Sequence, residues 1–86
     1  MYSFVTEVIV GHGVQDVHVT NADVRQDNRV VASITEVTDP GGLPTLGDAG
    51  LMIYSVSPHD GGIFVKVDVK WDTDLHYILT FFVDEE

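Results

Sequence analysis

From Ile63 to Trp71 the chain alternates with a period of two, broken in polarity only by Phe64. Ile63, Val65, Val67, Val69 and Trp71 fall on one side; Phe64, Lys66, Asp68 and Lys70 fall on the other. Successive side chains of a strand point to opposite faces, so this segment reads as a half-buried strand with its charged face in water. Trp71, continuing the inward valine row, is expected as a core anchor.

The same period of two recurs over Tyr2–Val10, Val14–Thr20, Arg29–Val37, Leu51–Ser57 and Leu75–Val83, and no stretch repeats with helical spacing. These segments are rich in Val, Ile, Thr, Tyr and Phe, residues that suit a pleated, packed surface. Between them lie Gly11-His12-Gly13, Gln26-Asp27-Asn28, Pro58-His59-Asp60-Gly61-Gly62 and Asp72-Thr73-Asp74, all with hairpin-turn chemistry. The pattern predicts one all-β domain over residues 1–86, a small antiparallel β-sandwich (jelly-roll-like) or barrel of about six to eight strands.

Three strands are apolar on both sides. Leu75, Tyr77, Leu79, Phe81 and Val83 share one side of the last strand, with Ile78 and Phe82 on the other. Phe4, Val8 and Val10 oppose Val5 and Ile9 in the first, and Met52, Tyr54 and Val56 oppose Leu51 and Ile53 in the fourth segment. A two-layer sandwich has only one inner face per sheet, so the surplus needs another cover, such as a subunit interface or a folded-over loop. The segment from Thr38 to Gly50 holds two prolines and four glycines and is the one long break. It reads either as a surface excursion or as an arm that touches a partner through Leu43 and Leu46.

Size and charge narrow the functional classes. A chain of 86 residues buries only roughly 60% of its unfolded surface and gains from association. With no cysteine, neither a disulfide nor a thiolate is available, a count compatible with a cytosolic origin. The formal net charge of −10 repels nucleic-acid phosphates and anionic lipids, and suits a basic protein surface or a hard cation. The start, Met-Tyr-Ser-Phe-Val-Thr-Glu, has no basic stretch or long apolar run, so neither a signal peptide nor a transmembrane segment is expected and the chain reads as complete.

Chemistry is sparse. His12, His18, His59 and His76 show no close pairing such as H-x-H, so their spacing supports no metal site, and no metal or other cofactor is expected. The aspartates Asp39, Asp48, Asp60, Asp72, Asp74 and Asp84 crowd the turns, where turn capping is their ordinary role. Asp72-Thr73-Asp74 begins like a calcium loop, but Leu75 and His76 follow where oxygens would be needed. No nucleophile elbow, phosphate loop or dinucleotide fingerprint is present, and no catalytic residue is predicted.

Val17-His18-Val19-Thr20-Asn21-Ala22-Asp23-Val24, Arg29-Val30-Val31-Ala32-Ser33-Ile34, Tyr54-Ser55-Val56, Gly62-Ile63-Phe64-Val65-Lys66-Val67 and Leu75-His76-Tyr77-Ile78-Leu79 together form a recurring pattern. They resemble a β-sandwich module of tailed-bacteriophage structural proteins, found in capsid decoration or cement proteins and in fibre tips. The resemblance covers most of the chain from Val17 onwards and carries no catalytic residues. It implies a non-enzymatic virion protein, assembled in the host cytoplasm, often homo-oligomeric, that binds the major capsid protein or another virion protein. On that reading the candidate contacts are Tyr2, Phe4, Val5, Leu43, Leu46, Ile78 and Phe82. The alternative is a receptor- or carbohydrate-binding fibre-tip module using Trp71 and the acidic turns; a histidine-based metalloenzyme is a third reading.

Overall fold

The computed structural model describes residues 1–38 and 41–85. Seven strands form: β1 (Tyr2–Val5), β2 (Ile9–Gly11), β3 (Gly13–Thr20), β4 (Arg29–Glu36), β5 (Gly50–His59), β6 (Gly62–Lys70) and β7 (Leu75–Asp84). They build two antiparallel sheets, as the alternation predicts. In the first sheet β7 is central, with β4 along one edge and β1 and β2 sharing the other. The second sheet runs β3-β6-β5. No helix is long and apolar enough to cross a membrane among the described residues.

The inward rows of β6 and β7 make the core. Ile63, Val65, Val67 and Val69 face Tyr77, Leu79, Phe81 and Val83, and all are buried. Val24, from the connection between β3 and β4, seals the core. That connection is tied to the β5–β6 hairpin: Asn21 N–H donates to the Gly61 carbonyl, and Gly61 N–H donates to that of Val24. Gly61 closes the hairpin at φ 91°, a conformation that L side chains rarely adopt.

Several expectations are corrected. The first predicted strand is two. Residues 6–8 interrupt it, the alternation slips by one, and Phe4 and Ile9 both pack inward while Val5 and Val10 point out. At the break Thr6 N–H donates to the Leu79 carbonyl, and its Oγ1 accepts the Leu79 amide at 3.1 Å, so one threonine stands in for the missing strand pairing. In β5 a register irregularity between Ile53 and Ser55 likewise returns Val56 to the inner side with Leu51 and Ile53. Trp71 is not a core anchor: β6 ends at Lys70, the Trp71 amide turns back to the Val69 carbonyl, and the ring is 42% exposed.

Only one of the expected hairpins forms, between β5 and β6. Gly11-His12-Gly13 instead carries the chain from one sheet to the other. Gly11 admits the Gln15 side-chain amide where a Cβ would collide with it, and Gly13 sits at φ 73°. Strand β4 runs beside β5, joining the two sheets along one side. On the other side residues 4–9 and 17–20 line an open cleft of about 530 Å³.

Candidate functional site

Cross-strand pairing assembles an apolar patch on the outer face of the first sheet. Phe82 pairs with Ser3 on one side and Val31 on the other; Thr80 pairs with Val5 and Ser33; Ile78 pairs with Thr35. Neighbouring side chains on one sheet face lie close enough to touch, so Val5, Val31, Ile78 and Phe82 act as one surface. Val5, Val31 and Phe82 are exposed, Val31 to 67%, and Ile78 is partly covered. Arg29 and Asp84 border the patch with a 2.8 Å ion pair.

The predicted contact residues divide into three groups. Val5, Ile78 and Phe82 come together on this face. Tyr2 and Phe4 do not; both turn inward against the core, and Phe4 lies 5.1 Å from Phe81 between ring centres. The Tyr2 hydroxyl is buried without a hydrogen-bond partner among the described residues, and burial first, then the Glu85 and Asp23 carboxylates, push its pKa up. Leu43 and Leu46 are exposed in the long loop, Leu46 fully.

That loop is tethered to the end of β4. Val37 bridges Pro44, Thr38 N–H donates to the Leu43 carbonyl, and Thr45 N–H donates to that of Glu36. Gly47 leaves room for the Glu36 carboxylate, which a Cβ would meet at 2.6 Å. Asp39 and Pro40 lie outside the described residues. Alternation along β4 alone does not single out Val31. Its place opposite Phe82 depends on long-range register.

On the outer face of the second sheet, exposed Val14, Met52, Tyr54 and Phe64 lie among charged side chains that pair with one another. Lys66 meets Asp16 at 3.1 Å, and Lys70 meets Asp68 at 3.2 Å. The Tyr54 hydroxyl donates to Asp68 Oδ2 at 2.7 Å. That bond first, and Lys70 second, hold the Asp68 carboxyl below its ordinary range; Asp68 in turn raises Lys70. At the hairpin end of this sheet, His18 and His59 approach to 2.9 Å between their Nε2 atoms, and both rings lie against Phe64. Sequence spacing hid this pair, since the residues stand 41 positions apart. His12 Nδ1 meets Asp74 Oδ1, so one carboxylate of the acidic Asp72-Thr73-Asp74 turn is already paired.

Neither protein-family models, nor curated proteins, nor solved structures yield a match to this chain.

Proposed function

We propose that this protein is a non-enzymatic structural component that docks onto other protein surfaces, a second copy of itself included, through the outer face of its first sheet. The observation that carries the reading is the cluster of Val5, Val31 and Phe82, apolar side chains from three adjacent strands left in water, with partly covered Ile78 beside them. Contiguous exposed apolar surface marks interaction sites, and an aromatic at the centre of such a patch is the usual anchor. Exposed Leu43 and Leu46 in the tethered loop supply a second contact. The free edge of β3, beside the open cleft, is suited to adding a strand from a partner.

The setting comes from the sequence resemblance to phage structural modules: a capsid decoration protein that adds buried area at junctions between shell subunits. Density for this chain on purified particles is the expected result, and its absence from purified virions overturns the setting. Replacement of both Val31 and Phe82 by Glu should strip the protein from particles without unfolding it. Particles that retain the doubly substituted protein refute the docking face.

A second reading is favoured by one observation. Trp71 is exposed beside Asp72 and Asp74, the arrangement of an aromatic sugar platform. A glycan array with and without chelator tests it, and a blank array removes it.

A further inference from the structure

We propose that the free edge of β3 adds one antiparallel strand from a basic partner protein, an extended segment that alternates Lys or Arg with β-branched apolar residues. The proposal rests on the reading of this protein as a docking module, but on a surface separate from Val31 and Phe82. Asn21 N–H donates to the Gly61 carbonyl at 3.0 Å, in the register that pairs β3 with β6. Antiparallel ladder bonds recur at every second residue, so Gln15, Val17 and Val19 turn their N–H and C=O groups toward β6. The Val19 carbonyl oxygen agrees with that phase, since a Cβ on Gly62 would meet it at 2.6 Å. The backbone groups of Val14, Asp16, His18 and Thr20 therefore aim at the open side, where no strand pairs with them among the described residues.

This edge lacks the features that usually prevent pairing. Proteins blunt long edges with lysines, prolines, bulges or inward-pointing charges. Strand β3 has none of these: its eight residues keep an unbroken register with β6, and Gln15, Val17 and Val19 are its inward side chains. The β1–β2 edge, by contrast, is interrupted at residues 6–8, and β4 lies beside β5. The cleft of about 530 Å³ along residues 17–20 leaves room for an added strand.

Geometry and charge select the occupant. An added antiparallel strand sends every second side chain inward beside half-buried Val17 and Val19, which favours β-branched apolar residues. Its other side chains stand beside Val14, Asp16, His18 and Thr20. Asp16 is 77% exposed although it meets Lys66, exposed Glu7 also lines the cleft, and the chain carries a net charge of −10. Outward cations are attracted there and outward carboxylates repelled. A second copy of the chain would bring the same acidity to this edge, so the occupant is a different, basic protein.

A capped synthetic peptide of four Lys-Val repeats tests the site. It should slow hydrogen exchange several-fold at the Val14, Asp16, His18 and Thr20 amides. At 0.05 M salt it should bind about tenfold or more tighter than a peptide of four Glu-Val repeats, and the gap should shrink at 0.5 M. N-methylation of its lysine amides, which face β3 in the antiparallel pairing, should abolish binding; N-methylation of its valine amides should not. The Val31→Glu, Phe82→Glu double variant should bind the peptide as the wild type does. Exchange unchanged at the four β3 amides, full binding by the N-methyl-lysine peptide, or equal affinity for the Lys and Glu peptides would overturn the site. Loss of binding in the double variant would also overturn it, by assigning the peptide to the first sheet. Failure of the peptide alone leaves particle docking through Val31 and Phe82 standing.

Discussion

Two tyrosines share the interior and differ in one bond. The buried Tyr77 hydroxyl donates to Gln15 Oε1 at 2.9 Å, whereas that of Tyr2 is buried with no partner among the described residues. Removing one member of a buried pair strands the other, while removing an unpartnered polar atom relieves a desolvation cost. Tyr77→Phe should therefore destabilise by about 1–2 kcal/mol, and Tyr2→Phe should be neutral or stabilising by up to about 1 kcal/mol. Urea unfolding at pH 7 measures both. Asp68 supplies a pH-dependent counterpart. Its carboxyl is held below the ordinary range by Tyr54 and Lys70, so its contribution to stability is complete above the unfolded value near 3.9 and is lost as pH falls through the folded value. Tyr54→Phe should raise the Asp68 pKa toward the ordinary range and shrink the loss of stability between pH 5 and pH 2. An unchanged acid limb would assign the effect elsewhere. At this scale the sequence is legible where the environment is local. The inward row Ile63–Val69 follows from alternation alone, but the partners of Tyr77 and His18 lie on strands far away in sequence, and period two says nothing about them.

Strands β1 and β2 show how an element departs from its pattern. Tyr2 to Val10 reads as one alternating run, yet residues 6–8 leave the ladder and shift the phase, which is how Phe4 and Ile9 come to share the inner side. Thr6 replaces the lost pairing from both its backbone and its hydroxyl. Thr6→Val keeps the shape and removes the hydroxyl acceptor, so it should cost about 1–2 kcal/mol and accelerate hydrogen exchange at the Leu79 amide. Exchange at Leu79 that stays as slow as in its β7 neighbours would show that the hydroxyl does not close the gap. Trp71 failed as a core residue for a related reason. Alternation has no memory of where a strand stops, and β6 stops at Lys70. Hairpin chemistry misled in the same way: Gly11 and Gly13 carry signals of a tight turn, but the turn joins two sheets rather than two neighbours.

At the scale of the whole molecule, two surfaces oppose each other. The patch around Phe82 favours burial, and a net charge of −10 resists bringing two copies together. The excess of apolar residues on β7 was legible in the sequence; which neighbours they join was not, since Val31 and Val5 reach Phe82 and Thr80 only through the fold. The balance between the two terms depends on salt. The screening length falls from roughly 10 Å at 0.1 M to roughly 3 Å at 1 M, while apolar contact is not screened. Contact between two copies pits like charge against apolar burial, so association should strengthen as salt rises. Docking onto a basic partner gains from opposite charge and should weaken over the same range. Light scattering in 0.05 M and 0.5 M salt should show mass rising above that of one chain at the higher concentration. The Val31→Glu, Phe82→Glu double variant should remain a single chain in both. A wild-type protein that stays a single chain at both concentrations removes the homo-oligomer and leaves the face to a heterologous partner, whose binding must then show the opposite dependence on salt.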